Sequence, residues 1–368
     1  MKAVPTLMVL IAIACCVLSV PAAAQGGGAT IAPSSCGGTP APNDYCSFAG
    51  SSAGIKIGAH SCNVVGACSD LGPNVTIGSN SCNGPSACAS LGNAENSCDV
   101  SVSASIIHPA ARPLTFSAGS AKIGNNSCNA DGACEYAGGQ GGAGSGGSVK
   151  VADGSCNGYQ SCYESGYDST NTTIGANACN SYQSCYDTGY EGASTIGAGS
   201  CPEDQSCFDA GNGGSSSIGQ NSCLESQACN GAGSSAGSSS IGSGSCGGDD
   251  SACQGAGQEG TSSIANNSCN GYQTCDGDGA YGGNTQIAAG SCNGTYACSG
   301  AGASNQASIG KNSCNGTDAC YQITEGYSAT VGNNSCDAFE ACEESANAGS
   351  KNIKNNKCDA PEACTGAI

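Results

Sequence analysis

The sequence predicts an all-β fold: a parallel β-helix, or β-solenoid, of about 14 coils with a 22–23-residue period and disulfides within coils. Three observations predict it. An aliphatic residue followed by two cysteines recurs at fixed spacing along most of the chain. The composition is too poor in large side chains for an ordinary globular core. Turn-forming residues recur at constant offsets from the cysteines.

The recurring mark is Ile or Val, a cysteine five residues later, and a second cysteine after five more intervening residues. It begins as Ile57/Cys62/Cys68, Ile77/Cys82/Cys88 and Ile123/Cys128/Cys134. It continues as Val151/Cys156/Cys162, Ile174/Cys179/Cys185, Ile196/Cys201/Cys207, Ile218/Cys223/Cys229, Ile241/Cys246/Cys253 and Ile264/Cys269/Cys275. It closes as Ile287/Cys292/Cys298, Ile309/Cys314/Cys320, Val331/Cys336/Cys342 and Ile353/Cys358/Cys364. These are thirteen copies, and one of them, Cys246 and Cys253, has six residues between its cysteines. A fixed period of this length is the signature of stacked repeats, each too small to bury its own apolar face.

Composition sets the class. With 60 Gly in 368 residues, 5% aromatic residues and no Trp, only a narrow interior walled by small side chains can be filled. Residues 1–24 read as a secretory signal: Lys2, an apolar run over 7–20 that is too short to span a membrane, and a small-residue cleavage site at Ala22, Ala23 and Ala24. The mature chain is then secreted and extracellular, with no membrane span and no hydrophobic tail for a lipid anchor. In that oxidising setting the cysteines outside the signal read as disulfides. Zinc is the competing reading, but its paired cysteines sit about two to four residues apart and it recruits histidine. Here the gap is five, and His60 and His108 are the only histidines. The net charge of −19 arises from 9 Lys+Arg against 28 Asp+Glu, which excludes a nucleic-acid partner because phosphate neutralisation needs basic residues.

Residues 25–54 fall outside the repeat and read as an N-terminal cap or low-complexity segment carrying Cys36 and Cys46; residues 55–368 are the cysteine-stapled solenoid. Cys128 lies 46 positions after Cys82, two periods of 23, so a degenerate coil without its cysteine pair is expected there, holding Ile106, Ile107 and the single arginine, Arg112. Cys98 is left over, with Cys36, Cys46 or no partner open to it. The Gly-rich stretch 138–147 reads as a loop bulging from one corner. No capping element follows Cys364, so the last coil is expected either to be covered by another segment or to stack on another copy.

Within a coil, helix formers are few and Gly is frequent, against a helical repeat. Residues before each Ile read as a short strand. Gly or Ala follows the Ile in twelve copies, which suits a bend, and Ser precedes the first cysteine in eleven. Asn follows the first cysteine in eight copies, often with Gly next, as at Asn157-Gly158. This is a turn signal, since both residues tolerate positive φ. A turn is required: two cysteines six apart in a straight strand are about 20 Å apart, and a disulfide needs Cα atoms within about 4.4–6.8 Å. Gly166, Gly189, Gly211 and Gly233, each four past a second cysteine, mark the next corner. Stacked, the Ile form an inward ladder, Asn63, Asn83, Asn129, Asn157 and Asn180 an asparagine ladder, and Gln160, Gln183, Gln205, Gln227 and Gln273 a partial glutamine ladder.

The short-loop cysteine staple resembles the disulfide-bonded β-solenoid antifreeze proteins of beetles in architecture alone, since their shorter coils and Thr-x-Thr strands are missing here. The repeat text, Ile-Gly-x-Asn-Ser-Cys-Asn-Gly-x-x-Ala-Cys at Ile309 to Cys320, resembles a cysteine-rich tandem repeat of secreted algal, diatom-like proteins over most of the mature chain. That resemblance implies an extracellular location and no particular activity.

Candidate functional residues lie outside the mark. Tyr163, Tyr186 and Phe208 follow the second cysteine directly, and Tyr159 and Tyr182, like Tyr272, precede it by three. A row of rings could bind sugar faces or pack as a ladder for stability. Glu164, Asp187 and Asp209 share one position in three consecutive coils. They make either an exposed acidic stripe or a site that calcium could bridge; no other cofactor is implied. The residue before each Ile, from Thr173 and Thr195 through Ser217, Ser240, Ser263, Gln286, Ser308 and Thr330, is expected to point outward. With Ser215, Ser238, Thr261 and Ser328 it makes a regular hydroxyl face of the kind that ice binding needs. Polysaccharide-cutting β-helix enzymes set a basic residue among clustered acids. Here Arg112 is alone, and Asp249-Asp250, Glu343-Glu344 and Asp276/Asp278 read as solvated turn acids. Sequons occur at Asn74, Asn125, Asn171, Asn266, Asn293, Asn315 and Asn333. Asn125, Asn266 and Asn333 share a corner and are the expected glycosylation sites, because an inward asparagine ladder would hide Asn293 and Asn315. The expectation is a non-enzymatic, secreted structural or carbohydrate-binding protein of the cell surface, wall or matrix, with polysaccharide or other copies of itself as partners. Ice binding is the first alternative and a polysaccharide-active enzyme the second.

Overall fold

The computed structural model describes residues 29–36, 46–48, 54–92, 120–138, 148–167, 171–248, 250–279, 281–324, 327–344, 346 and 349–365. The signal segment, Cys98, Arg112 and the stretch 93–119 lie outside the described residues.

Short strands alternate with turns throughout. In chain order they are β1 (Thr30–Ile31), β2 (Cys46–Phe48), β3 (Lys56–Ile57), β4 (Cys68–Leu71), β5 (Val75–Ile77), β6 (Ser120–Ile123), β7 (Ser148–Val151) and β8 (Thr172–Ile174). Then follow β9 (Ala193–Ile196), β10 (Ser215–Ile218), β11 (Ser238–Ile241), β12 (Thr261–Ile264), β13 (Asn284–Ile287), β14 (Gln306–Ile309), β15 (Ala329–Val331) and β16 (Lys351–Ile353). All but β2 and β4 form one 14-stranded parallel sheet in the order β1-β3-β5-β6 and then consecutively to β16. β2 and β4 make a separate two-stranded parallel pair. The all-β, parallel solenoid is therefore the fold. Its coil count differs slightly from 14: the eleven strands from β6 to β16 mark regular consecutive turns, and the turns before them are irregular.

Each step of the sheet keeps Ile over Ile, as in Ile196↔Ile218↔Ile241, or Ile beside Val at Val151 and Val331. The strands bury alternate residues, and a one-residue slip would turn the Ile out to solvent, so this pattern fixes the register. Ile123, Ile174, Ile196 and Ile218 are buried, as are both cysteines of every repeat pair through Cys342.

Among the described residues, fourteen disulfides close within turns. In the repeat they are Cys62–Cys68, Cys82–Cys88, Cys128–Cys134, Cys156–Cys162, Cys179–Cys185, Cys201–Cys207 and Cys223–Cys229. They continue as Cys246–Cys253, Cys269–Cys275, Cys292–Cys298, Cys314–Cys320, Cys336–Cys342 and Cys358–Cys364. Their Cα–Cα distances run from 5.6 Å at Cys82–Cys88 to 5.9 Å at Cys269–Cys275. The fourteenth, Cys36–Cys46, ties β2 to the first turn. A seven-residue loop of this kind is worth roughly 2–2.5 kcal/mol in the chain-entropy model. Through Cys342 the repeat cysteines are core, and no part of a surface a ligand could reach: Cys88, Cys229, Cys269, Cys275, Cys292 and Cys298 are all fully enclosed, whereas Cys358 and Cys364 of the last staple are partly exposed. Sulfurs of adjacent staples approach one another closely enough to suit a metal, as at Cys134, Cys156 and Cys162. All are already joined in disulfides, so no thiolate is present to bind one.

Three expectations need correction. No coil stands between β5 and β6, where the degenerate one was expected: among the described residues β5 pairs directly with β6, Ile77 against Ile123. The interval of 46 positions equals two periods by length alone. At the opposite end, Ile31 pairs with Ile57, so the sheet begins within residues 25–54, the segment read as an N-terminal cap.

The second correction concerns the bend. Positive φ falls on the first cysteine of each pair, 57° at Cys156 and 55° at Cys201, and not on the Asn-Gly that follows. Gly158 is required for a different reason: a Cβ there would lie 2.1 Å from the Ser181 carbonyl oxygen of the next coil. The corner glycines behave as expected, with φ of 68° at Gly189.

The staples come in two forms. In the earlier coils the second cysteine bonds backward: Cys88 N–H donates to the Ala67 carbonyl (2.8 Å) and Cys229 N–H to that of Ser206 (2.7 Å), both in the preceding coil. From Cys253 onward it bonds forward, Cys275 N–H to the Ala297 carbonyl (3.1 Å) and Cys298 N–H to that of Ala319 (2.9 Å). The second cysteine is then left-handed as well, with φ of 54° at Cys275 and 59° at Cys298, beside 59° at both Cys269 and Cys292. The change begins at the one pair with an extra residue in its loop, Cys246–Cys253.

Third, the asparagine ladder does not point inward. Each side-chain oxygen accepts the backbone N–H of the equivalent residue one coil earlier, Asn83 N–H to Asn129 (3.2 Å) and Asn157 N–H to Asn180 (3.1 Å). The column lies at the surface, half-exposed, at Asn293 and Asn315 too.

A further column was not anticipated at all. The serine before each first cysteine is fully buried. Ser222 Oγ donates to the Gly242 carbonyl (2.8 Å) and accepts the Ser245 N–H (3.3 Å). The pattern repeats from Ser61 to Ser335, interrupted at Ala178. Each hydroxyl thus satisfies one donor and one acceptor of the adjoining coil, which lets polar backbone sit inside the stack. The signal was present as serine in eleven of thirteen copies, but a polar residue does not announce burial.

Candidate binding faces

Two surfaces carry the candidate residues. The first is the sheet's outer face. From β10 to β14 the strands alternate exposed and buried residues, so Ser217, Ser240, Ser263, Gln286 and Ser308 face solvent beside Ser215, Thr261 and Asn284. They line one broad, shallow concavity running from Thr195 to Thr330. The register is unbroken, Ser217↔Ser240↔Ser263↔Gln286, so the outward groups repeat at the inter-strand spacing of about 4.8 Å. Gln286 and Asn284 stand taller than the serines and interrupt its flatness.

Between the outward columns runs an inward one of Ser194, Ser216, Ser239 and Ser262. Their hydroxyls are buried and make no hydrogen bond to protein. They face the core where neighbouring coils place Ala307 and Ala329.

The second surface is the corner after the second cysteine in the coils from Tyr159 to Asp209. Here the backbone runs as successive tight turns: Tyr163 N–H reaches Gln160 O and Ser165 N–H reaches Cys162 O, with Gln160 and Glu164 both left-handed. Side chains at equal positions therefore lie one above another. Tyr163 stacks on Tyr186 (centroids 4.9 Å, planes 10° apart), Tyr186 on Phe208 (5.2 Å, 6°), and Tyr159 on Tyr182 (5.6 Å, 8°). Tyr167 and Tyr190 form a further pair at 5.3 Å. The ring faces are thus turned toward one another, and the Tyr163 hydroxyl is engaged by Glu164. Tyr159 and Tyr182 are about half exposed (45% and 47%); Tyr163, Tyr186 and Phe208 are less so. The glutamine ladder runs beside them, Gln183 Nε2 donating to Gln160 (3.1 Å) and Gln205 to Gln183 (3.2 Å).

Residues 244–367 match a domain of unknown function, DUF7640. The match covers about a third of the chain, the coils from Cys246 onward. Those are the coils whose second cysteine bonds forward. No curated protein and no solved structure matches the chain. The DUF7640 segment holds the later part of the hydroxyl face, whereas the aromatic corner lies outside it.

The acids Glu164, Asp187 and Asp209 do share one corner with the rings. Burial, reinforced by Glu164 and Asp209 on either side, pushes the Asp187 carboxyl up to about 7. Burial raises Asp209 too, opposed by a hydrogen bond from Asn212. One coil earlier, burial and then Asp131 and Glu164 raise Glu135. The same corner pushes the Tyr186 hydroxyl up to about 12, through burial first and then Asp187. Near neutral pH Asp187 is therefore only partly ionised, which lessens the repulsion that a cation would otherwise relieve.

Asp276 and Asp278 are not the solvated turn acids expected of them. Burial pushes Asp276 up to about 6. Asp278 is fully enclosed, its carboxyl oxygens without a side-chain partner, and burial raises it well above the carboxylate range. It occupies the inward position held by Ala256 and Ala301 in the coils on either side.

The expected glycosylation sites are exposed. Asn125, Asn266 and Asn333 use Oδ1 to accept the N–H of Ser79, Ser243 and Lys311 in the preceding coil.

Among the described residues, no helix is long and apolar enough to cross a membrane.

Proposed function

We propose that this chain is a secreted, non-enzymatic structural rod of the cell surface, wall or extracellular matrix that binds polysaccharide along its length. The carrying observation is the unbroken strand register from Thr195 to Thr330, which sets outward polar groups, hydroxyls at every step of the column but Gln286, at the inter-strand spacing. The staple in every turn and the leader-like start fit the oxidising secretory route. The resemblance of the repeat to secreted algal proteins agrees with that route. Display, rather than reaction, is the mechanism. The acids of the corner stack along the rod axis and do not face one another across a cleft, which is what a general acid–base pair needs. No cofactor enters this reading; calcium on Glu164, Asp187 and Asp209 would displace the proton at Asp187. Asn125, Asn266 and Asn333 are assigned as the glycosylated corner.

Retention of the mature protein on insoluble polysaccharide tests the proposal. Replacing Ser217, Ser240 and Ser263 by lysine should abolish retention, and Tyr159→Ala with Tyr182→Ala should weaken it. Retention that survives both sets would overturn it. The regular hydroxyl face also favours one second reading, ice binding, which thermal hysteresis of the same protein would decide. Gln286 and Asn284 rising above that face argue for the polysaccharide.

A further inference from the structure

Among the described residues β16 pairs with β15 alone, which leaves its outer edge open. An open parallel edge is a template for another strand. The N-terminal turn of a second copy would fit it by pattern: Ile31 already takes its place in the Ile ladder, and Ser35 in the serine column, donating to the Gly58 carbonyl (2.6 Å).

Two positions decide whether a coil can rest on another. The first follows the ladder aliphatic and is Gly or Ala in twelve copies. Space is tight there: a Cβ at Gly310 would lie 2.6 Å from the Gly332 carbonyl carbon and one at Gly332 2.4 Å from the Asn355 nitrogen, and the exceptions, Ala152, Ala265 and Ala288, add a single methyl. The second is the buried serine. Ser335 Oγ donates to the Lys354 carbonyl (3.0 Å) and accepts the Lys357 N–H (3.1 Å). In the coil of β16 both positions change together. The Gly/Ala position is Lys354, the serine position is Lys357, and both are exposed.

We propose that the coil of β16 is a built-in stop: Lys354 and Lys357 replace the two residues on which a further coil would rest, and so keep the edge from adding a second copy of this chain. The chemistry is one-sided. A serine hydroxyl both donates and accepts, whereas an ammonium group has three donors and no acceptor, so the incoming N–H would be orphaned. Stacking would also drive an ammonium against the Ile and disulfide core without a counter-charge, a burial that is strongly unfavourable. The Lys354 stem meanwhile fills the space the next backbone needs. The obstacle holds for a further coil from any source, so it does not depend on where the chain ends. It rests on the fold alone and goes beyond the polysaccharide reading. It also replaces the expectation of end-to-end stacking.

The test is the association state of the secreted, disulfide-intact protein, by sedimentation velocity over a range of concentrations. Wild type should stay at monomer mass. Lys354→Gly with Lys357→Ser, which restores the pattern of the preceding coils, should give species whose mass grows with concentration. Lys357→Ser alone should associate more weakly, and it serves as the readout if the double variant misfolds by circular dichroism or disulfide mapping. Lys354→Glu with Lys357→Glu should remain monomeric. Concentration-dependent growth of the wild type, or folded Gly/Ser variants that stay monomeric, would overturn the proposal.

Discussion

The coils from Tyr159 to Asp209 and those from Ser215 to Ile264 share one scaffold and differ at nearly every position outside it. Both stack Ile on Ile, close a staple in each turn and carry the buried serine, apart from Ala178. The first group fills its corner with stacked rings and partly neutralised acids. In the second that corner holds Asn230, Gly231, Gln254 and Gly255, and the distinctive residues are serines on both sides of the sheet. The lesson is a division of labour. Inward columns must satisfy a geometry repeated every 22 or 23 residues and scarcely vary, while outward columns are free to take up chemistry.

The largest expected effect tests the shared part. Ile196→Ala and Ile218→Ala should each cost about 2–5 kcal/mol, because each leaves a cavity under two neighbouring coils that cannot collapse. The two values should agree within error in denaturant unfolding. A much smaller loss at Ile196 would mean that the rings, and not the ladder, hold their coils together, and the comparison would fail.

The next effects have opposite signs on the two sides of one strand turn. Ser222→Ala removes a hydroxyl that serves two backbone groups of the adjoining coil and should cost roughly 1–3 kcal/mol. Ser216→Ala removes a buried hydroxyl without a partner and should be neutral or stabilising. Equal losses at the two sites would show that the inward strand serines are satisfied after all. Asp278 extends this logic to a titrating group. Its carboxyl is raised in the folded chain, so the folded state holds its proton to higher pH than the unfolded state. Stability from this site is complete below about pH 4, the ordinary Asp range, and is lost as pH rises toward the folded-state value. Asp278→Ala should therefore raise the melting temperature at pH 7 and flatten its fall between acid and neutral pH. An unchanged pH profile in the variant would remove Asp278 as the cause.

These contrasts mark what the sequence could and could not disclose. Ile ladder, staple, corner glycine and outward hydroxyl columns were legible because each depends on a spacing from the cysteines, and spacing is what a sequence states directly. The aromatic and acidic stacks followed from the same offsets. Burial of the serine column was hidden because its cause is a pair of hydrogen bonds to another coil, visible only once the coils are in register. The left-handed cysteines were hidden too, since cysteine carries no preference that marks it for positive φ. For the same reason nothing in the spacing separates Cys223–Cys229 from Cys269–Cys275, although their second cysteines bond to opposite sides. The 46-residue interval misled for a plainer reason: a length that equals two periods does not require a coil, and Ile77 pairing with Ile123 leaves no place for one between β5 and β6. The solvated reading of Asp278 failed because two acids in a Gly-rich stretch look exposed until Ala256 and Ala301 are seen above and below.

The smallest effect bears on whether the aromatic corner is structure or binding surface. Phe208 stacks on Tyr186 at 5.2 Å, and Tyr186 on Tyr163 at 4.9 Å, so their faces are already used. Phe208→Leu keeps most of the apolar burial and loses the ring contact, which should cost about 0.5–1.5 kcal/mol. It should leave polysaccharide retention unchanged. Tyr159→Ala should show the reverse, with a smaller change in stability and a measurable loss of retention, since that ring is half exposed and its hydroxyl faces solvent. Should Phe208→Leu lower retention without lowering stability, the inner row is the sugar platform. The serine-rich coils would then be scaffold, and the roles assigned to the two regions would be exchanged.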